Sequence, residues 1–184
     1  MKRSLVIVLA LAAATLALAV GAGAAHHSVI RGTAGDDVLT GTPGPDLILG
    51  YAGNDTLSGG DGNDNIHGML GNDTVNGDGG NDRLWGGAGD DTINGGDGND
   101  VLHGRYGNDT LDGGPGDDVI WAGRGQDVER GGDGNDVLHA LANDNQVDTL
   151  DCGPGDHDVA WIRAGEPDVV TNCEVIKTLA PVTP

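Results

Sequence analysis

Residues 95–103 read GGDGNDVLH, and residues 131–139 repeat the same nine letters without a change. Both copies belong to a run of twelve consecutive nonapeptides that fills residues 32–139 without an insertion. Each is built on the frame G-G-x-G-x-D-x-U-x, in which U is aliphatic. The fourth position is Gly and the sixth is Asp in all twelve units, and the eighth is Val, Leu or Ile in eleven. A short fixed period of this kind predicts a solenoid whose units stack and do not fold singly.

Each nonapeptide combines turn chemistry with strand chemistry. The first six positions allow tight turns because Gly adopts positive φ without a steric penalty. The closing triplet, as in Val101, Leu102 and His103, alternates like a strand. Two units then complete one coil of 18 residues with the eighth positions facing inward. The sequence therefore predicts an all-β fold: a right-handed parallel β-roll of two sheets with a small disulfide-closed C-terminal cap.

The sixth-position Asp residues are the candidate metal ligands. Stacking of coils places Asp55 beside Asp73 along one edge of the roll and Asp64 beside Asp82 along the other. Without a counterion these carboxylates repel each other. Ca²⁺ accepts six to eight oxygens with loose geometry, which carboxylates and Gly carbonyls supply, whereas Mg²⁺ demands a strict octahedron. We expect several bound Ca²⁺ ions, at most about ten, between neighbouring turns of the twelve units.

The composition leaves room for only a thin hydrophobic core. The 184 residues include 35 Gly and no Phe, and aromatic residues make up 3% of the chain. The formal net charge of −20 disfavours nucleic acid and acidic membrane surfaces as partners. It also disfavours a compact chain unless cations neutralise it. Calcium ions are therefore the expected partner.

The first 25 residues have the pattern of a secretory signal peptide. Lys2 and Arg3 precede an apolar run over residues 5–20, and small residues follow up to Ala25. Their removal would take the formal charge from −20 to −22. The alternative is an uncleaved anchor, because a run of sixteen residues that are apolar except for Thr15 approaches a spanning length. We expect secretion, an extracellular location and no stable membrane insertion after cleavage.

Two cysteines in an exported chain favour a disulfide between Cys152 and Cys173. The alternative, a metal-binding or catalytic thiol, lacks a CxxC pair or a suitably spaced His. The predicted segments are the signal peptide 1–25, an N-terminal lead 26–31, the β-roll 32–139, a degenerate repeat and disulfide cap 140–178, and a tail 179–184.

The repeat frame over residues 32–139 resembles the RTX (repeats-in-toxin) haemolysin-type calcium-binding nonapeptide. Residues 140–178 are similar to the Cys-containing end of exported actinobacterial RTX-like proteins. The resemblance implies that Ca²⁺ is bound by the sixth-position carboxylates together with backbone carbonyls of the first, second and fourth positions. The implied side-chain ligands are Asp37, Asp46, Asp55, Asp64, Asp73, Asp82, Asp91, Asp100, Asp109, Asp118, Asp127 and Asp136. The implied fourth-position carbonyls are those of Gly53, Gly62, Gly71, Gly80, Gly89, Gly98, Gly107 and Gly116.

In three units, departures from the frame bear on the expected metal sites. Thr33 and Thr42 stand where units one and two should have their second Gly, so we do not count on calcium sites there. Unit eleven begins with Ala122 and has Glu129 at the inward eighth position. We expect that coil to be distorted and its calcium site to be weak.

The ninth positions of the even units form a column in which His and Trp alternate: Leu49, His67, Trp85, His103, Trp121 and His139. One interpretation is that neighbouring rings stack to cover a sheet face. The other is a surface that contacts carbohydrate or a cell-surface partner. A shared zinc site is not expected, because successive His residues are two coils apart. A column of Thr on the opposite face is either ordinary strand composition or a water-ordering surface of the ice-binding kind.

The sequence gives no catalytic constellation, so we do not expect an enzyme. It has no HExxH, GxSxG, P-loop or SxxK arrangement. A copper site at His26 and His27 near the new amino terminus is a minor alternative. The competing functional class is a calcium-stabilised adhesin or carbohydrate-binding module that uses the His/Trp column. An enzyme fragment without its catalytic part is a third possibility.

Overall fold

A computed structural model describes residues 6–8, 28–142 and 144–180, with only the backbone strand described for residues 6–8. Most of the predicted signal peptide, the His26–His27 pair and the last four residues of the tail therefore lie outside the described residues. Every regular element in the described part is a strand: β1 Val6–Val8, β2 Ser28–Arg31, β3 Val38–Thr40, β4 Asp46–Ala52, β5 Thr56–Asp61, β6 Asn65–Leu70, β7 Thr74–Gly79, β8 Arg83–Ala88, β9 Thr92–Asp97, β10 Val101–Tyr106, β11 Thr110–Pro115, β12 Val119–Arg124, β13 Val128–Asp133, β14 Val137–Ala140, β15 Thr149–Asp151, β16 Val159–Arg163, β17 Val169–Thr171 and β18 Val175–Leu179. Within the same ranges, no helix with the length and apolarity to cross a membrane occurs.

Successive strands alternate between two parallel sheets. The ten-stranded sheet has the order β1-β2-β4-β6-β8-β10-β12-β14-β16-β18, and the eight-stranded sheet has the order β17-β15-β13-β11-β9-β7-β5-β3. Through the tandem repeats the register advances by one coil of 18 residues, so that Thr56 pairs with Thr74 and Thr74 with Thr92. The predicted parallel β-roll is confirmed.

The core is a single column of aliphatic side chains from each sheet. Leu57, Val75 and Ile93 stack on one side, and Ile66, Leu84 and Leu102 stack on the other. All six are fully buried. Each coil thus buries only two large apolar side chains, and the interior alone stabilises the roll weakly.

The strands are longer than the closing triplet of each repeat. A strand such as β6 covers the triplet and then the first three positions of the next unit, so only the fourth to sixth positions lie outside the strands. The pairing of Met69 with Gly87 shows that backbone bonding between coils continues past the triplet. This extension follows from the requirement that buried backbone groups be paired.

The roll continues beyond the twelve units. β15 pairs with β13, and β16 pairs with β14, so residues after His139 add further coils to both sheets. The predicted disulfide is confirmed: Cys152 and Cys173 are bonded, with Cα atoms 5.2 Å apart, between the turns that follow β15 and β17.

The prediction that the coil of unit eleven is distorted is wrong. Strand β13 keeps its register on both sides, because Glu129 pairs with Leu111 and with Leu150. The Ala122 methyl group joins the core, and the carboxyl group of Glu129 is forced into it; both residues are fully buried. Backbone pairing with two neighbouring coils therefore outweighs the unsuitable side chain.

Candidate metal-binding turns

The sixth-position Asp residues form a hydrogen-bonded ladder along each edge of the roll. The backbone N–H of Asp82 donates to Oδ1 of Asp100 at 2.7 Å, and that of Asp100 donates to Oδ1 of Asp118 at 2.7 Å. The same bond links Asp55 to Asp73 on the other edge at 2.8 Å. One oxygen of each carboxylate therefore fixes the preceding coil, which sets the carboxylate orientation.

In ten of the twelve sixth-position carboxylates, the second oxygen has no hydrogen-bond partner. The unpaired, buried Oδ2 atoms belong to Asp55, Asp64, Asp73, Asp82, Asp91, Asp100, Asp109, Asp118, Asp127 and Asp136. These residues are at most 2% exposed. An isolated buried carboxylate oxygen is strongly unfavourable, because it loses its hydration without compensation. Ten such atoms in register mark the positions where a cation would be most favourable.

In the first two turns, a Thr residue bonds to the second carboxylate oxygen of the Asp. The backbone N–H of Thr33 donates to Oδ2 of Asp37 at 2.6 Å, and the Thr33 hydroxyl lies 3.0 Å from the same oxygen. Thr42 contacts Oδ2 of Asp46 in the same manner, at 2.5 and 3.0 Å. Here a hydroxyl and an amide satisfy the oxygen that is unpaired in the other ten turns.

The Gly residues of the frame are required by close backbone approach. At the fourth position, Gly98 has φ +128°, and a Cβ there would overlap the carbonyl oxygen of Gly80. At the first position, a Cβ on Gly95 would overlap Oδ2 of Asp100 and the carbonyl oxygen of Gly113. The Asp carboxylate and the first-position carbonyl of the next coil therefore converge on the same small region beside each turn.

Burial raises the pKa of the ten column carboxyls from Asp55 to Asp136. The pKa reaches about 7 for Asp82, Asp91, Asp109 and Asp118, against 3.8 for an exposed Asp. Desolvation is the main cause, the N–H donors of the preceding coil lower the pKa in part, and neighbouring carboxylates raise it further. Near neutral pH the metal-free folded chain therefore either keeps charged carboxylates buried, which is unfavourable, or binds protons at them.

The fifth positions form a second ladder, which the repeat frame did not predict. The backbone N–H of Asn72 donates to Oδ1 of Asn54 at 2.8 Å, and that of Asn99 donates to Oδ1 of Asn81 at 3.0 Å. These bonds run from each coil back to the preceding one, whereas the Asp bonds run forward. The Asn or Asp at most fifth positions was the available signal, since such side chains commonly bond to the backbone of turns.

The donor set suits a hard cation held largely by oxygen atoms of the backbone. Among the described residues no three His, Cys, Asp or Glu side chains form a metal-ligand cluster. A site between two turns would therefore use one or two carboxylates and turn carbonyls. That combination matches the all-oxygen, loose coordination of Ca²⁺ and not the side-chain clusters of zinc sites.

The acid ladder extends past the tandem repeats. Asp127 donates its N–H to Oδ1 of Asp148 on one edge, and Asp136 donates to Oδ1 of Asp158 on the other. The spacing there is 21 and 22 residues instead of 18. The sequence pattern does not predict sites at these additional turns, because their frame is broken.

The His/Trp column is a continuous stack of rings on the ten-stranded sheet. Ring centroids lie 4.4 Å apart for His67 and Trp85 and 4.7 Å apart for His103 and Trp121, with interplanar angles of 3° and 9°. His139 extends the stack to Trp161, which the sequence analysis missed. Each inner ring covers the faces of its neighbours, as the sheet-covering interpretation predicts. Burial lowers the pKa of all three His residues in the stack.

Fold and turns together define a parallel β-solenoid with columns of buried carboxylates at both edges. The family model for the RTX calcium-binding nonapeptide repeat, which spans four copies, matches residues 31–66, 58–93, 67–102, 94–129 and 130–151. The chain therefore belongs to the RTX calcium-binding repeat family. A search of curated proteins finds no match to the chain.

Proposed function

We propose that the chain is a secreted, non-enzymatic calcium-binding protein whose β-roll folds when Ca²⁺ binds between stacked turns. One observation carries the proposal: ten sixth-position carboxylates are buried with Oδ2 unpaired and in register. Membership of the calcium-binding repeat family supports the choice of ion.

The energetic basis is the balance between a thin core and buried charge. Each coil of the tandem array buries only two large apolar side chains, while its two Asp carboxylates lose water and face like charges in adjacent coils. Bound Ca²⁺ supplies positive charge and coordination to the unpaired oxygens, as metal binding supplies folding free energy in other small metal-dependent domains. Without it, the chain is expected to be expanded near neutral pH.

The proposed ligands are the Oδ2 atoms from Asp55 to Asp136 with carbonyl oxygens of the turns. Asp37 and Asp46 are weaker candidates, because Thr33 and Thr42 already satisfy their Oδ2 atoms. Twelve turns in two columns give ten pairs of adjacent turns, consistent with about ten ions. The weak site expected at unit eleven remains a prediction, although Oδ2 of Asp127 is placed like the others.

Extracellular calcium modules typically have dissociation constants of about 10⁻⁴ to 10⁻³ M. A chain of this affinity stays unfolded in the calcium-poor cell interior and folds after export. The signal-peptide pattern of residues 1–25 is the sequence feature that supports export.

The direct test is far-ultraviolet circular dichroism of the chain from residue 26 onward, titrated with CaCl₂ after removal of calcium by chelator. We expect a β signal to develop cooperatively at millimolar calcium and to vanish in excess chelator at neutral pH. Mg²⁺ at the same concentration should not replace Ca²⁺. A full β signal in chelator at neutral pH would refute the coupling of folding to calcium.

A surface-interaction module remains the second candidate function. The stacked rings of the His/Trp column cover one another and offer mainly their edges to a partner. The charge and the shape of the ten-stranded sheet beside the column favour this function.

A further inference from the structure

The two sheets of the roll carry opposite charge on their outer faces. The ten-stranded sheet contains six of the seven described Lys and Arg residues: Arg31, Arg83, Arg105, Arg124, Arg163 and Lys177. Its one acidic residue, Asp46, is buried. The strands of the eight-stranded sheet contain six outward Asp residues and one Arg: Asp61, Asp78, Asp97, Asp112, Asp133, Asp151 and Arg130. A chain of net charge −20 thus presents one face on which the charged residues are basic, spread over β2, β8, β10, β12, β16 and β18.

This basic face has a depression of about 320 Å³ beside the His/Trp column. Met69, Gly87 and Arg105 are in register on adjacent strands, so the missing side chain of Gly87 leaves a gap between two long ones. Ala88 leaves a similar gap next to Tyr106 in the adjacent column. The edges of His67 and Trp85 complete the wall.

Tyr106 and Arg105 give the depression its chemistry. Tyr106 is 59% exposed, and the guanidinium of Arg124 lies 6.0 Å from its ring centroid on the side away from Ala88. The other side of the ring adjoins the depression, which Ala88 and Tyr106 both line. Arg105 is exposed and has φ +88°, a conformation that favours Gly. Tyr51, Met69 and Asp78 have the same conformation at the second position of their units, so the positive φ belongs to the repeat turn, and the exposed guanidinium is what distinguishes Arg105.

These features together define the ligand class. A guanidinium binds a carboxylate or sulfate with two parallel hydrogen bonds. An exposed aromatic face beside it accepts the apolar face of a ring, and a depression with few polar groups limits the ligand to about one such ring. Stacking of successive nucleic-acid bases requires a series of open aromatic faces, whereas the rings of the His/Trp column are closed against each other.

We propose that the depression over Gly87 and Ala88 binds an anionic sugar unit of an acidic polysaccharide, with Arg105 pairing with the acid group and Tyr106 contacting the sugar ring. The other cations of the ten-stranded sheet favour the approach of the polymer to this face. The proposal depends on the proposed function only in that calcium must fold the roll before the face exists.

The test is isothermal titration calorimetry of the chain from residue 26 onward in saturating calcium, with a hyaluronan hexasaccharide as the carboxylated probe and a neutral chitin hexasaccharide as its control. We expect binding of the first and not of the second. Arg105→Gln should weaken binding by about tenfold, as loss of one charge-assisted pair predicts. Tyr106→Ala should weaken it similarly, and Tyr106→Phe should bind like the wild type.

Two variants with the same change in charge serve as controls. Arg130→Gln lies on the eight-stranded sheet and should have no effect, and Arg83→Gln lies on the basic face outside the depression and should weaken binding by less than about threefold. Equal losses for Arg83→Gln and Arg105→Gln would overturn the proposal in favour of diffuse attraction. Equal binding of an oligothymidylate would do the same. Loss in Asp97→Asn with none in Arg105→Gln would show calcium bridging through the acidic face and also overturn it.

Circular dichroism in calcium, recorded for every variant before titration, separates this proposal from the proposed function. A folded wild-type roll that does not bind the carboxylated probe overturns the sugar site alone. A roll that is equally folded in chelator overturns the coupling of folding to calcium alone.

Discussion

Asp82 and Asp100 occupy equivalent positions in adjacent coils, and the backbone N–H of Asp82 donates to only one oxygen of the Asp100 carboxylate, Oδ1, at 2.7 Å. Oδ2 of Asp100 is buried and has no partner. The carboxylate thus performs two tasks, one structural and one open to a cation.

Asp100→Asn separates these two tasks. Asn keeps the Oδ1 acceptor and removes the charge, so we expect one or two fewer Ca²⁺ per molecule by equilibrium dialysis, because Asp100 adjoins two neighbouring turns, and a higher calcium midpoint for folding. Asp97→Asn, an exposed residue on the eight-stranded sheet, is the matched control and should change neither. Unchanged stoichiometry in Asp100→Asn would remove this carboxylate from the ligand set.

The raised pKa values predict how pH acts on the protein without metal. The pKa of the column Asp residues is raised to about 6 for Asp55 and about 7 for Asp118, from 3.8. Between pH 3.8 and about 7 the folded roll binds more protons than the unfolded chain. The stability of the metal-free roll is therefore greatest below pH 3.8 and falls as pH rises through 6 to 7.

Chelator-treated protein should therefore show more β signal near pH 4 than at neutral pH, and acid should raise the calcium midpoint, because protons compete for the same oxygens. Circular dichroism at the two pH values measures both effects. A metal-free β signal that increases toward neutral pH would contradict the burial of these carboxyls.

Gly98→Ala and Gly79→Ala test the backbone requirement of the turns. Gly98 has φ +128°, and a Cβ there would overlap the Gly80 carbonyl, whereas a Cβ on Gly79 would contact only Oδ1 of Asp61 at 3.9 Å. We expect Gly98→Ala to lower the free energy of unfolding in calcium by about 2 kcal/mol or more and Gly79→Ala to change it by less than about 1 kcal/mol. Urea unfolding measures both. Equal effects would mean that the turn adjusts to a side chain at the fourth position.

Glu129→Leu is expected to stabilise the roll. Glu129 is fully buried with both carboxylate oxygens unpaired, between Leu111 and Leu150 in the inward column. Burial raises its pKa well above the usual value. Removing an unpaired buried acid should raise the free energy of unfolding by about 2 kcal/mol in calcium-saturated urea melts. Glu129→Gln, which leaves an unpaired amide, should gain less. Destabilisation by Glu129→Leu would show that the carboxylate has a ligand role in the folded state.

The Cys152–Cys173 bond stabilises the end of the roll where the repeat frame is broken. It closes a loop with a sequence separation of 21, so the Cys152→Ser/Cys173→Ser variant should lose about 3 kcal/mol on the chain-entropy model. Wild-type protein unfolded with a reductant is the matched comparison and should lose a similar amount. No loss in either sample would place the last coils outside the cooperative unit.

The regular features of the fold could be predicted from the sequence because one period sets them all. An 18-residue coil places Leu57 inward, Asp55 at an edge and Trp85 on an outer face without further information. Sequence reasoning failed where spacing changed. The step from Asp127 to Asp148 is 21 residues, so a fixed frame lost the continuation of the ladder and, on the other sheet, Trp161.

The hydrogen bonds that substituted side chains make within the turns could not be predicted from the sequence either. Thr33 was identified as a departure from the frame, but its hydrogen bonds to Asp37 depend on a carboxylate orientation that only the folded turn shows. Likewise, Glu129 was expected to distort its coil, because the strength of pairing between three consecutive strands is not visible in a single repeat.

The contacts that join the tandem coils link each residue with its counterpart 18 places along the chain, and the alternation of His and Trp restores itself after 36. A duplicated or deleted block of 36 residues within the tandem array would therefore keep the same type of strand and ring pairing across the new junction. Each added block would bring four more sixth-position carboxylates, so the number of candidate cation sites would increase with the length of the roll.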